Sequence, residues 1–254
     1  MAQAKSNTEI LERGNIYFCY TPKVEREEVE GLNDVQQFYF ILAPHNKQVY
    51  RLIVIGKKRF PEIDSDNNNW CFVESVSDNA KEIEQGLRRE TYSTKTLGER
   101  LQPAARPVGE GIYEIVKYRG HTNLIYALEL PQDLGQAQKS LGIKEEASYI
   151  MTIKNPTGSS PQGMGLPTEE KAELPKHLQN RFEDRRFVPA DPPEFLDYPG
   201  VELILIGASS DVSAELGIEL DPATETADTA EILNDLRMRQ SRHPIEPLFT
   251  GEWR

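Results

Sequence analysis

The feature that most limits what this chain can fold into is a series of short alternating segments divided by tight turns. Asn15–Val24 sets Ile16, Phe18 and Tyr20 against Tyr17 and Cys19, which reads as a strand carrying apolar side chains on both faces. Gln36–Leu42 stops at Ala43-Pro44. Val49–Ile55 opposes Leu52 and Val54 to Ile53 and Ile55 and stops at Gly56. Trp70–Val76 is a fourth strand, and Asp78 is placed to cap a helix running to Leu87. Connections this short leave no room for crossover helices, so the pairing is expected to be antiparallel. Ahead of this series, residues 1–13 read as a polar lead-in with a helical turn at Glu9–Arg13.

After a basic, hydroxyl-rich joint at 88–110 the same order recurs. Gly111-Ile112-Tyr113 echoes Gly14-Asn15-Ile16-Tyr17. Leu124–Leu130 stops at Pro131, Tyr149–Lys154 precedes Asn155-Pro156, and Leu203–Ser210 leads into Asp211. Phe72–Asp78 aligns without gaps on Leu205–Asp211. The expected fold is therefore α+β, mainly antiparallel. It has a β-rich repeat at 1–87, the joint, a second repeat at 111–220 and a C-terminal helix with an extended arm at 221–254. Each repeat ends in a helix, and the two form one compact unit. The second repeat carries a helical stretch at Gln132–Leu141 and an insertion at 156–200. That insertion divides into a Gly- and Pro-rich loop and a basic helix at Leu174–Phe187. The last helix is read over Thr226–Arg239, and the arm bears Leu248, Phe249 and Trp253, which suit latching onto the chain's own body or onto a second subunit.

Charge bears on partners. With 41 acidic against 29 basic residues the chain carries -12, a balance that repels phosphate backbones and makes nucleic acid an unfavoured partner. Apolar runs such as Leu203–Ile206 are too short to span a bilayer, no secretory leader is legible, and the two cysteines, Cys19 and Cys71, form no framework. These features fit a cytoplasmic protein with reduced thiols.

No catalytic or cofactor motif stands out. His45, His121, His177 and His243 each stand alone. The Asp64–Asn69 loop lacks the sixth-position glycine of a calcium loop, and no glycine pair follows a strand and opens a helix. Nothing calls for a metal or cofactor. What remains is basic charge on an acidic chain. Lys95, Arg100 and Arg106 in the joint, with Lys117, Arg119 and His121 at the following hairpin, form the candidate ligand-binding set; Lys176, His177, Arg181, Arg185 and Arg186 mark the insertion. If such segments converge they focus a small anion. The leading expectation is a non-catalytic binding or regulatory protein, taking a small anionic ligand or a protein partner between the two repeats. Its rivals are an enzyme acting on a phosphorylated or carboxylated metabolite, with His121 as acid/base and Arg106 or Arg119 as anion clamp, and a structural subunit of a homo-oligomer built through the C-terminal arm.

Gly14–Tyr17, Leu52–Lys58, Pro103–Pro107, Arg185–Pro189 and His243–Pro247 together resemble a family of uncharacterised bacterial cytosolic proteins. The resemblance runs over nearly the whole chain. It implies a single architecture in a bacterial cytosol and brings no site residues with it.

Overall fold

The computed structural model describes residues 8–63, 67–94, 96, 98–161, 164–226 and 228–254. Its strands are β1 (Glu9–Pro22), β2 (Val35–Pro44), β3 (Tyr50–Ile55), β4 (Asn68–Ser77), β5 (Glu90–Thr94), β6 (Gly98–Gln102), β7 (Arg106–Tyr118), β8 (His121–Leu130), β9 (Glu146–Lys154), β10 (Phe187–Pro189) and β11 (Glu202–Ser209). The helices are α1 (Ala80–Gly86), α2 (Gln136–Leu141), α3 (Lys176–Gln179), α4 (Val212–Leu216), α5 (Glu231–Asn234) and α6 (Glu246–Thr250).

The order β9-β11-β4-β3-β2-β1-β7-β8, with β8 returning to β9, closes an eight-stranded antiparallel barrel. This corrects the expected α+β class. Strand at 39% against helix at 19% makes the fold mainly β, and short helices do not end two tandem repeats. Strands from both halves of the chain share one wall. They join where β1 pairs β7 (Tyr17 opposite Glu110) and where β11 pairs β4 (Leu203 opposite Cys71).

Alternation explains the wall. Ile16, Phe18 and Tyr20 on β1, with Phe38, Phe40, Ile53, Ile55, Tyr126 and Tyr149, belong to the principal core within the barrel. Tyr17, Cys19, Tyr39, Ile41, Leu52 and Val54 point the other way and are covered by Ala230, Ile232, Leu236, Met238 and Leu248. That is why β1 is apolar on both faces. Phe60, on the loop after β3, enters the interior and stacks on Tyr149 at 4.9 Å between ring centres, with Phe18, Phe38 and Phe40 at 5.7, 5.6 and 5.9 Å. The aromatic rings fill the interior.

Gly14 and Gly111 permit the tight strand approach. A Cβ on either would lie 2.2 Å from the Ala43 carbonyl oxygen or 2.1 Å from that of Ala127.

Other expectations shift at their edges. Residues 9–13 extend β1 instead of forming a helical turn. Most of the joint is structured, as the β5–β6 hairpin and the start of β7. Asn79, one residue beyond Asp78, caps α1 through Lys81 N–H; Asp211 caps α4 by accepting from Ala214 N–H at 2.8 Å. The long helix expected over Thr226–Arg239 reduces to α5, after which Arg237 takes a left-handed φ of 55° and turns the chain. Within the insertion the expected helix is cut to α3 and a 3-10 turn by positive φ at Glu183 and Asp184. The arm is not extended throughout, since α6 lies within it, and Leu248 is buried against the chain's own barrel. Among the described residues no helix is long and apolar enough to cross a membrane.

Candidate functional site

Strand β7 runs the length of the barrel and divides the expected ligand residues between its ends. Lys117 stands near its finish and Arg106 at its start, about 35 Å apart at ~3.3 Å per residue. Lys95 lies outside the described residues. Arg100, on β6, pairs with Glu25 at 2.9 Å. Arg119 holds a left-handed turn position (φ 47°) and lays its guanidinium 4.8 Å from the Tyr118 ring centre. Among the described residues no single site gathers the set.

At the Lys117 end, the β7–β8 hairpin meets the insertion around a cavity of about 160 Å³. Lys117 and His121 line it from the hairpin, and Arg181 and Arg185 from the segment after α3. The left-handed residues Glu183 and Asp184 fold that segment back, so that β10 pairs with β9 and the arginines reach the hairpin. Asp191 supplies the wall's carboxylate, 2.8 Å from Lys117 Nζ and 3.9 Å from Arg181. Its hydrogen bond, then its charge, push the Lys117 ammonium up. Lys117 and Arg181 thus share Asp191, while Arg185 pairs with Glu183 at 3.3 Å. Arg185 is held in place through the carbonyls of Phe182 (3.2 Å) and Arg181 (3.0 Å). In the same wall Thr122 is 0% exposed, and its hydroxyl has no hydrogen-bond partner among the described residues. A buried hydroxyl in that state costs free energy unless something supplies the missing partner.

Catalytic groups do not assemble here. His121 is exposed and its ring makes no hydrogen bond among the described residues, so nothing orients it as an acid or base. Cys19 and Cys71 are both fully buried, and burial pushes their thiols up, away from the nucleophilic thiolate.

The basic run Lys176–Arg186 was visible in sequence, but its meeting with the hairpin was not. Thr122 and Asp191 gave no signal, because one lies just ahead of the Leu124–Leu130 strand pattern and the other in a Pro-rich turn.

Fold and site together define a closed antiparallel barrel with a filled interior and a basic cavity at one rim. Comparison of the chain with known protein families, with characterised proteins and with solved structures finds no significant match. The resemblance read from the sequence gains no support from them, and the site rests on its own geometry.

Proposed function

We propose that this protein is a non-catalytic binding protein that takes one small anion, of phosphate or sulfate size, in the cavity between the β7–β8 hairpin and the insertion. The observation that supports this most is the meeting of Lys117, Arg181 and Arg185 around the unpartnered, buried Thr122 hydroxyl. Cations satisfy an anion's charge and the hydroxyl donates to one of its oxygens. The net charge of -12 favours a small anion over a polyanion, which the body of the protein repels. The isolation of His121 argues against the enzyme alternative.

Titration calorimetry with inorganic phosphate at low ionic strength tests the reading. Replacing Arg181 and Arg185 together by Ala is expected to weaken binding by about tenfold or more, at ~1.5–3 kcal/mol for each charge-assisted hydrogen bond. The melting temperature should move little, since both side chains are about half exposed. Phosphate affinity unchanged in that variant would remove the site.

A further inference from the structure

At the other rim the chain buries an arginine that enters no ion pair among the described residues. Arg106 is 2% exposed, and its Nη2 donates to the Glu27 carbonyl oxygen. Among the described residues its buried Nε and Nη1 have no partner, and no carboxylate lies within ion-pair distance. The Tyr20 ring, 5.9 Å from the guanidinium carbon, gives partial compensation. Trp253 packs edge-on against the same ring at 5.1 Å, and its indole nitrogen is likewise buried without an acceptor. Two residues packed on Tyr20 thus carry three buried donors without a partner among the described residues. Burial, and after it the charge of Arg254, hold the guanidinium below its ordinary range, although Tyr20, Glu246 and Glu27 act in the opposite sense.

Arg106 lies in the wall of a cavity of about 280 Å³, together with Arg89, Arg242, Arg254 and the apolar Pro103 and Pro244. Glu27 is the wall's carboxylate and pairs with Arg89 at 2.7 Å. Arg242 reaches Glu84 behind the wall at 3.6 Å, whereas Arg106 and Arg254 enter no ion pair among the described residues. With Arg89 paired to Glu27 and Arg242 to Glu84, Arg106 and Arg254 leave the wall short of about two negative charges. A monocarboxylate supplies one of them. A phosphate or diphosphate group supplies two or more, and its oxygens are acceptors only, matching a surplus made of donors.

We propose that this cavity is a second ligand site, independent of the hairpin cavity, that takes the phosphate or diphosphate group of a small phosphorylated molecule. The prolines form the floor for the part of the molecule that bears the group. Binding would give the buried Arg106 the counter-charge that the fold withholds.

The test is titration calorimetry with inorganic pyrophosphate on the full chain in which Arg181 and Arg185 are already Ala, so that only this rim is read. Binding should persist in that background and fall about tenfold or more when Arg89→Ala and Arg254→Ala are added. Both of those side chains are exposed, so melting temperature should hold. Acetate at the same concentration should bind at least about tenfold more weakly than pyrophosphate. Absence of pyrophosphate binding in the Arg181/Arg185 background, or affinity unaltered by the Arg89/Arg254 changes, would overturn the proposal while leaving the hairpin site untouched.

Discussion

Two arginines of one barrel are buried to the same degree and treated in opposite ways. Arg51, 1% exposed, faces inward from β3 and sends Nη1 and Nη2 to the two oxygens of Glu12 at 2.6 and 3.0 Å, with Asp197 at 2.8 Å. Tyr113 donates to Glu12 at 2.8 Å, and Lys47 also reaches Asp197. Burial works against the Arg51 charge, yet the hydrogen bonds and charge of Glu12, with Tyr113 and Asp197 behind them, hold the guanidinium above its ordinary range. Arg106, at the opposite rim, has a carbonyl and an aromatic face but no carboxylate. A buried charge with complete partners locks elements together; here it ties β1 and β3 to the 3-10 turn bearing Asp197. One without partners marks a place where something else is meant to sit.

The sharpest way to break this contrast is to make the same substitution at both ends. Arg51→Met should cost about 3–5 kcal/mol in urea unfolding, because it leaves the buried Glu12 without its counter-charge. Arg106→Met should lie within about 1 kcal/mol of the parent, since it removes a charge that the fold does not compensate. Equal losses at the two positions would show that Arg106 has its counter-charge within the fold.

A smaller effect separates charge from burial on β7 itself. Glu110 is 1% exposed and accepts from the N–H groups of Ile232 (2.8 Å) and Glu231 (3.2 Å), fastening α5 to the outer wall. Burial raises its carboxyl from 4.5 to about 7; the two N–H groups pull it down, and the charges of Glu231 and Glu225 add to the rise. The folded chain keeps this proton where an unfolded one has released it. Stability should therefore fall as pH climbs from about 4.5 to about 7 and level off above, by at most about 3 kcal/mol from this group. Glu110→Gln should flatten that decline when urea midpoints at pH 5 and pH 8 are compared; an unaltered slope would place the titration elsewhere.

The smallest effect is expected at Arg100, whose side chain is 24% exposed and paired with an exposed Glu25. Arg100→Ala should change stability by less than about 1 kcal/mol and leave pyrophosphate binding as it was. A clear loss of binding would enlarge the Arg106 site to include the β5–β6 hairpin.

What the sequence disclosed of this molecule was local. The alternation in β1, β2 and β3 and the capping Asp211 are written in neighbouring residues. Closure of the barrel depends on β1 meeting β7, β4 meeting β11 and β8 meeting β9. Period-2 alternation says which residues share a face but not which distant edge will pair with it. The joint hid a hairpin because Thr91, Tyr92 and Ser93 are all exposed, so no apolar period betrays the strand. At the sites the limit was of the same kind. Arg89 and Arg106 were legible as basic residues of the joint, but Arg242 and Arg254 come to them from the C-terminal segment. No spacing rule connects them.

The covering of β1 by residues 230–248 sets a timetable for synthesis. The outward face of β1 carries Tyr17 and Cys19, and Cys19 meets Met238 at 3.8 Å between sulfurs. At about 5–20 residues per second, roughly 10–40 s separate the emergence of these two partners from the ribosome. During that interval one of the most apolar surfaces of the nascent chain has no permanent cover, and β4 still waits for β11. Holding factors that bind exposed apolar strands should engage the first half of this protein and let go only as its last residues arrive.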